Sequence, residues 1–485
     1  MTASTNSDPG GSKNQIKIFA NIFISFIGAG ILGLPYAFKE SGILEGAFIM
    51  SAVGIISVKA MLLIIDCKYK LMGKKTDNNH KASVSLDQDG LNERGTGEEY
   101  KELLKEEEMN IRIKDPPKAV GDGLTYGDVG YHALGHAGRF LVDMAIVISQ
   151  TGFCCAYLIF IAENLSDYIK GFSISNWLLI LLPPLSILTL LRHLNSLALS
   201  SLMAQCSNIF AFGVVFWFDF EHLYKVKIHP KEMSLKGFPF FLAIAIYCYE
   251  GAGMILSLES SVHIEKRHKF RKIFIIAMFL ATTLYITFGA CGYLSFGAET
   301  NAIITLNLPK GRTIDFSMIV KSALCLALLF TYPVMMFPVM KILERYLIAD
   351  ADKHYWKGNV LRCCMVLLTG VVVILIPSFS NLMALIGSSC CTLLAFILPG
   401  IFHLYIFKGN ISFSQKVFDY FLIFVGIVGT IVGLWDAFRR LHEGDGDEQD
   451  EDTIISTTLT SVINTTINKI HHTKQTTQHF ISPKL

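Results

Sequence analysis

The chain has 485 residues, of which 52% are hydrophobic and 17% are charged, and its mean hydropathy is +0.46. This composition is that of a polytopic membrane protein, and the formal net charge of +2 gives no indication of nucleic-acid binding. We expect no cleavable signal peptide, because the first 15 residues are polar and no small-residue cleavage pattern follows the first apolar run.

Eleven apolar runs predict eleven membrane-spanning helices, since about 20 apolar residues suffice to cross a bilayer. The runs lie at approximately 16–38, 43–66, 140–166, 176–191, 197–218, 237–258, 272–296, 315–340, 359–376, 381–407 and 417–437. An odd number of crossings places the two termini on opposite sides. We therefore expect an N-terminal tail at 1–14, a membrane domain at 15–438 and a C-terminal tail at 439–485.

The eleven cysteines lie mostly within these runs, as at Cys154-Cys155 and Cys390-Cys391. We interpret them as small apolar packing residues and not as a disulfide framework or a metal site. No metal and no organic cofactor are expected.

The first run is interrupted by three glycines and a proline in the stretch Ile24–Pro35. Glycine weakens a helix by about 1 kcal/mol relative to alanine, and an interior proline removes a backbone hydrogen bond. Because hydrocarbon offers no partner for freed amides and carbonyls, a break here predicts backbone groups that point at protein, water or a ligand. Close helix packing, which small residues also permit, is the alternative interpretation.

A second copy of this pattern lies in the other half of the chain. Gly-Ala-Gly-Met-Ile-Leu-Ser-Leu begins at Gly251, against Gly-Ala-Gly-Ile-Leu-Gly-Leu at Gly28, and Glu250 directly precedes the second copy. Two glycine-interrupted spans in corresponding halves indicate a transporter site built on inverted repeats.

A polar insert at 67–138 separates the second and third runs, and its composition predicts disorder with a short helix near Tyr100. Lys and Arg are concentrated in the loops after the second, sixth and eighth runs. The positive-inside rule therefore places the N-terminus and the insert in the cytosol, and the C-terminal tail in the lumen or outside.

On this topology the sequon at Asn464 is accessible to glycosylation, whereas that at Asn410 is cytosolic and stays unmodified.

The insert also contains Glu99-Tyr100-Lys101-Glu102-Leu103-Leu104. This stretch combines an acidic-dileucine pattern with a Tyr-x-x-Leu pattern, and both resemble sorting signals that adaptor proteins read. The signal residues would be Glu99, Tyr100, Leu103 and Leu104. A short solvated amphipathic helix is the alternative. Sorting adaptors would direct the chain to an endolysosomal or vacuolar membrane, and the plasma membrane remains open.

Several motifs follow one another in a fixed order. They are Gly28–Phe38 with Gly42, Tyr126-Gly127-Asp128 with Gly138-Arg139, Ser149–Cys154 with Tyr157-Leu158, Cys248–Gly251, Phe296-Gly297 with Ile304–Pro309, and Tyr332-Pro333 with Pro338. Together they resemble the amino acid/auxin permease superfamily, over about residues 15 to 435. The similarity is greatest to the proton-coupled amino acid transporter and vacuolar neutral amino acid exporter branches.

The resemblance implies five-plus-five inverted repeats plus an eleventh helix. It implies that spans one and six are broken, and that spans three and eight complete the site. It also implies amino acids, small or neutral, as substrates and alternating access between the two membrane faces. The long insert is not part of the family core.

A zwitterionic amino acid needs partners of both signs. Amides freed at Gly28–Ile31, beside a half-helix N-terminus, suit its carboxylate, and carbonyls near Ile27, Cys248 and Tyr249 suit its ammonium. The predicted substrate-binding residues are Ile27, Gly28, Ala29, Gly30, Ile31, Cys248, Tyr249, Glu250 and Gly251, with Ser149 and Phe153 of span three and Thr331 of span eight. For the last three, ordinary helix packing is the alternative.

Glu250 is the predicted proton-coupling residue, because it adjoins the break and because burial disfavours the charged form of a carboxylic acid. A structural hydrogen bond to the unwound backbone is the alternative role. Sodium coupling also remains open, since break carbonyls and Thr331 could ligate the ion. Glu259, near the basic loop, is expected to form an interfacial ion pair.

Two other classes compete with a carrier. An amino acid-gated channel of the same fold would conduct without saturation or counter-transport. A nutrient sensor would bind substrate without moving it. An enzyme is not expected, because no comparable catalytic motif stands at a span end.

Overall fold

In a computed structural model of the chain, the described residues are 14–89, 123–169, 171–191, 231–308, 316–348 and 354–442, with short stretches between 207 and 221. Within these ranges the chain is helical and has no strand. Seven helices are long and apolar enough to span a bilayer, and a bent pair near the N-terminus makes an eighth. The all-α, multi-span fold class is thus confirmed, whereas the count of eleven crossings stays a prediction. Asn464 and the sorting residues Glu99, Tyr100, Leu103 and Leu104 lie outside the described residues.

We number the helices in chain order. They are α1 (Gln15–Phe26), α2 (Leu34–Ser41), α3 (Ile43–Asp89), α4 (Tyr126–Tyr168), α5 (Ile174–Thr189), α6 (Phe238–Cys248), α7 (Ile255–Ser260), α8 (Arg267–Phe296), α9 (Phe316–Leu347), α10 (Tyr355–Leu375), α11 (Phe379–Ile406) and α12 (Phe413–His442). Residues 212–218 are helical as well.

Two helices extend beyond the apolar runs that predicted them. α3 continues to Asp89, and α4 begins at Tyr126 and not near residue 140. A capping box starts α4, because the Thr125 hydroxyl accepts from the Asp128 amide while the Asp128 carboxylate accepts from the Thr125 amide. Hydropathy misses this polar first part, which also contains Gly135 at φ +66°. The described ends of the insert 67–138 are thus helical, and the expected disorder with a short helix near Tyr100 stays a prediction for the part that lies outside the described residues.

The first span is broken between α1 and α2. α1 ends at Phe26, Gly28 is extended (φ −113°, ψ −171°), and a 3₁₀-helix follows at Ala29–Gly33. The two parts of the span meet at an angle of 48°. Pro35 lies in the first turn of α2, where its missing N–H breaks no helical hydrogen bond.

The sixth span is broken in a similar way. α6 ends at Cys248, and the chain returns to a regular helix only at Ile255, where α7 begins. The intervening residues 249–254 form turns. Both interruptions thus fall where the glycine pattern predicted them.

The centre of the bundle is α4, whose residues 154–162 are all buried. It packs against α9, α10 and α11, while α1 packs on α8 and α6 packs on α11. The thiols of Cys154 and Cys155 donate to the carbonyls of Tyr332 and Thr369 at 3.8 and 3.7 Å. These two cysteines therefore join neighbouring helices as packing residues.

Contacts within the chain divide it after Leu434 into two units. In the second unit residues 435–442 are helical, and Asp436 pairs with Arg440 at 2.9 Å. The site described next lies in the first unit.

Candidate functional site

The two helix breaks face one another across a cavity of about 50 Å³. Pockets for drug-sized ligands measure roughly 300 to 1,000 Å³, so this conformation is contracted and its walls must move to admit more than a small molecule. The predicted site residues that line the cavity are Gly28, Ala29, Gly30, Ile31, Phe153, Cys248 and Glu250.

Three other predicted residues lie at the breaks without lining the cavity. Ile27 follows the last residue of α1 and is half-buried. Tyr249 points to α8, where its hydroxyl donates to Thr282 Oγ1 at 2.7 Å. Gly251 packs against Phe26, and a Cβ at this glycine would lie 2.2 Å from the ring. Gly251 therefore fits the close-packing interpretation.

Ser149 and Thr331 also stand outside the cavity lining. Ser149 is fully buried in α4, and its hydroxyl donates to the Ile146 carbonyl at 3.2 Å. The Thr331 hydroxyl donates to the Ala327 carbonyl of α9 at 2.8 Å. In this conformation both side chains are bound to their own helices, as the packing alternative describes.

Sequence reasoning missed part of the lining, namely Ser25, Phe26, Tyr157, Tyr247, Met254, Tyr285 and Met335. Helical periodicity could have found two of them, because Tyr157 and Met335 lie one turn beyond Phe153 and Thr331. Tyr285 lies within an unbroken apolar run and carries no comparable signal.

At the first break, the residues Gly28–Ile31 line the cavity with a short 3₁₀-helix whose first amides lack a helical partner. The 3₁₀-helix makes its first internal hydrogen bond from the Ile31 amide to the Gly28 carbonyl, at 3.4 Å. The amides of Ala29 and Gly30 precede that bond and have no partner within the 3₁₀-helix. A Cβ at Gly28 would meet nothing within 4 Å, whereas one at Gly30 would lie 3.1 Å from Cys248 Sγ. The glycine backbone is thus accessible from the cavity at Gly28 and close-packed at Gly30.

Tyr285 connects the two breaks. Its hydroxyl donates to the Phe26 carbonyl at 2.5 Å, and the same oxygen lies 3.4 Å from the Cys248 carbonyl. These are the carbonyls of the last residues of α1 and α6. The fully buried Tyr285 ring also packs edge-on against Tyr249, with centroids 5.4 Å apart.

Glu250 is the carboxylic acid of the cavity lining, and it is 7% exposed. Its Oε1 accepts from the Gly253 amide at 3.4 Å, which is a long hydrogen bond. Among the described residues its Oε2 has no hydrogen-bond partner. A buried carboxyl oxygen in this state is costly unless the group is protonated or receives a cationic ligand.

Aromatic rings form the wall between α4 and α6. Phe153 and Tyr247 meet edge to face with their centroids 4.7 Å apart. No group of His, Cys, Asp and Glu side chains with metal-binding geometry occurs in the part of the chain that the structure describes. The cavity is therefore apolar on one side and faces freed backbone and Glu250 on the other.

Glu259 of α7 forms an ion pair, and the pair is buried within the bundle. Lys68 Nζ lies 2.5 Å from Glu259 Oε2, and each side chain is 1% exposed. Tyr69 donates to the other carboxylate oxygen at 2.5 Å, and Ser260 accepts from Lys68 at 2.8 Å. α7, the part of the broken sixth span that follows the break, is thus joined to α3.

Known proteins that are similar to this chain are transporters. A family model described as "Transmembrane amino acid transporter protein" matches residues 12–84 and 112–439. From Arabidopsis thaliana, "Amino acid transporter AVT3B" is 31% identical over 89% of this chain and 94% of its own. "Amino acid transporter AVT3C" is 32% identical over 88% and 91%, and "Amino acid transporter ANT1" is 30% identical over 88% and 93%.

One solved structure supports the fold. The structure titled "Inward facing conformation of Mhp1" superposes with a TM-score of 0.51 over 92% of this chain and 95% of its own, at 11% identity. At this identity the likeness concerns the fold alone.

Proposed function

Because this chain belongs to the transmembrane amino acid transporter family, we propose that it is a secondary active carrier that moves small or neutral amino acids by alternating access, coupled to protons. Membership in this family also confirms the prediction that the chain is not an enzyme.

The single observation that carries the proposal is that both interrupted spans meet at one cavity, where a Glu250 oxygen has no hydrogen-bond partner among the described residues. The amides of Ala29 and Gly30 would receive the substrate carboxylate, which the positive end of the following half-helix also favours. The substrate ammonium would lie near Glu250 and the carbonyls at the two helix ends. These assignments give a zwitterion partners of both signs.

The size and lining of the cavity favour small, neutral substrates. A basic side chain on the substrate would add a second cation beside Glu250, and an acidic one would meet no cationic lining residue among those described. Phe153 and Tyr247 would contact an apolar side chain. Growth of the cavity would require displacement of these rings.

Glu250 would carry the coupled proton. When protonated it can enter the closed state without an unpaired buried charge, and when ionised it can hold the substrate ammonium. Loading and release of the proton would then alternate with exposure of the cavity to the two membrane faces. Thr331 lies away from the cavity, so the sodium alternative retains fewer of its predicted ligands.

The decisive experiment is transport of labelled amino acids by the purified chain in proteoliposomes with an imposed pH gradient. A carrier gives saturable uptake, counter-transport of preloaded substrate, and loss of accumulation when a protonophore is added. Flux that rises linearly with concentration and shows no counter-transport would identify a channel. Binding without flux would identify a sensor.

We further propose that the chain resides in an endolysosomal or vacuolar membrane. Support comes from the pattern at Glu99, Tyr100, Leu103 and Leu104, which sorting adaptors would read. Replacement of Leu103 and Leu104 by alanine is expected to move a fluorescently tagged chain to the plasma membrane. An unchanged distribution would favour the solvated-helix alternative for this stretch.

A further inference from the structure

A groove on the outer surface of the bundle lies beside the turn that joins α11 to α12. It encloses about 450 Å³ and shares no lining residue with the cavity between the broken spans. The turn itself contains Gly409 in the left-handed region, at φ +91°. The side chains that determine what the groove can bind are those of Ile401, Leu404, Tyr405, Lys408, Lys416 and Tyr420.

The groove carries two unneutralised cations. Lys408 and Lys416 are exposed, and neither side chain forms an ion pair with a described residue. The only acidic residue of the sequence from 398 to 435 is Asp419. It is fully buried and is held by His403, whose Nδ1 lies 2.6 Å from its Oδ2. Asp419 therefore leaves the charge of the lysines available to a ligand.

The rest of the lining is amphipathic. Ile401 and Leu404 supply an apolar floor, while Tyr405 and Tyr420 are 58% and 63% exposed and add hydroxyl groups. Tyrosines with an apolar body and a polar tip are typical of the boundary between hydrocarbon and water. The groove thus runs from an apolar surface to a pair of ammonium groups at one end of two spanning helices.

The same end of the bundle is rich in basic residues. Lys70 of α3 lies over the Phe407 ring, with Nζ 5.7 Å from its centroid, and Arg271 of α8 pairs with Asp66 nearby on α3. By the positive-inside rule this end faces the cytosol, where the leaflet carries anionic lipids. Basic pockets at the cytosolic ends of spanning helices suit the head groups of such lipids.

We propose that this groove binds an anionic glycerophospholipid of the cytosolic leaflet, with the head-group phosphate between the ammonium groups of Lys408 and Lys416. One of its two acyl chains lies along Ile401 and Leu404, and the tyrosine hydroxyls are placed to donate to phosphate or ester oxygens. The bound lipid joins the end of α11 to the beginning of α12.

The test measures binding of short-chain lipids to the purified full-length chain in a neutral detergent, by thermal shift and native mass spectrometry. The probes are a dioctanoyl phosphatidylinositol phosphate, dioctanoyl phosphatidylcholine, and inorganic phosphate. The test variant is Lys408→Ala/Lys416→Ala. The matched control is Lys269→Ala/Lys272→Ala, which removes the same charge from the neighbouring α8.

We expect the anionic lipid to bind and raise the melting temperature of the wild type and of the control. Loss of both groove lysines is expected to raise the dissociation constant about thirtyfold, given the contribution of each cation near anionic lipid. Equal melting temperatures without lipid show that the variant is folded. If it is not, Lys408→Gln/Lys416→Gln replaces it.

Four results would overturn the proposal. The first is that the groove variant binds the anionic lipid as tightly as the wild type, and the second is that the control loses as much affinity as the groove variant. The third is that phosphatidylcholine binds as tightly as the anionic lipid, and the fourth is that inorganic phosphate alone raises the melting temperature as much as the lipid does. The second would indicate general surface charge, the third an apolar groove without head-group selectivity, and the fourth a phosphate site that needs no lipid.

Discussion

The hydroxyl of Tyr285 donates to the carbonyl of Phe26 at 2.5 Å, and so α8 holds the end of the first half-helix at the cavity. The same hydroxyl oxygen approaches the corresponding carbonyl of the sixth span, that of Cys248, at 3.4 Å. A single phenolic proton can satisfy only one of the two carbonyls at a time. The other remains available to the ammonium of a substrate or to water.

Tyr285→Phe is therefore expected to impair transport without unfolding the chain. Loss of one buried hydrogen bond that leaves a carbonyl unpaired costs about 1 to 3 kcal/mol. We expect Vmax/KM for amino acid uptake to fall roughly tenfold. The measurement is initial-rate uptake in proteoliposomes. Tyr131→Phe, on the polar first part of α4, is the control, and equal kinetics in the two variants would remove Tyr285 from the site.

Glu250→Gln tests the proton-coupling role. Glutamine retains the size and hydrogen-bonding capacity of the side chain but cannot exchange a proton. We expect substrate accumulation driven by a pH gradient to be abolished, while exchange of labelled for unlabelled substrate is partly retained. Glu265→Gln, whose side chain is 69% exposed, is the matched control. Wild-type pH dependence in the Glu250 variant would assign this carboxyl a structural role.

Two glycines with similar sequence contexts are expected to respond differently to alanine. The methyl group of Gly28→Ala enters open space, so the protein stays folded while the cavity shrinks and KM rises, most for the larger substrates. The methyl group of Gly251→Ala lies 2.2 Å from the Phe26 ring, and overpacking of this kind costs about 1 to 3 kcal/mol. Uptake kinetics and melting temperatures separate the two cases. If only Gly28→Ala lowered the melting temperature, Gly28 would be the close-packed glycine and Gly251 the one that faces open space.

The breaks were predictable from sequence because their cause is local. Glycines such as those around Gly28 and Gly251 weaken a helix locally, and Pro35 favours the start of a new one. The partners of those breaks are not local, since Tyr285 reaches Phe26 from a helix far away in the chain. Tyr249 was assigned to the site for its backbone carbonyl, and sequence gave no indication that its side chain turns toward Thr282. Side-chain direction at an unwound residue depends on packing, which a hydropathy pattern does not contain.

The start of α4 and the partner of Glu259 are two further features that the hydropathy pattern did not predict. Capping residues such as Thr125 and Asp128 could have indicated the start of α4, but its polar first turns gave no apolar run. Burial of the Lys68–Glu259 pair depends on α3 and α7 meeting, and its two members are separated by most of the first half of the chain. Sequence placed Glu259 near a basic loop and could not identify Lys68 as its partner.

Glycosylation tests the orientation of the chain. If the C-terminal tail faces the lumen or the outside, Asn464 is modified, and Asn464→Gln together with glycosidase treatment removes a gel shift of one glycan. Asn410→Gln is expected to leave mobility unchanged, because the turn between α11 and α12 then faces the cytosol. A shift lost with Asn410→Gln instead would invert the topology and move the proposed lipid groove to the opposite leaflet.

The Lys68–Glu259 pair gives a prediction about stability. Removal of one partner from a buried ion pair leaves an uncompensated charge and costs roughly 3 to 5 kcal/mol, whereas replacement of both by apolar residues is often close to neutral. We expect Glu259→Gln to lower the melting temperature sharply and Lys68→Met/Glu259→Leu to restore part of the loss, because Arg267 Nε, 3.6 Å from Glu259 Oε1, still loses its carboxylate. Because Glu259 lies on the half-helix beyond the sixth-span break, the double variant fixes α7 to α3 without charge. If opening of the cavity requires these charges to separate into water, the stable double variant transports more slowly than the wild type; equal rates would show that the pair serves stability alone.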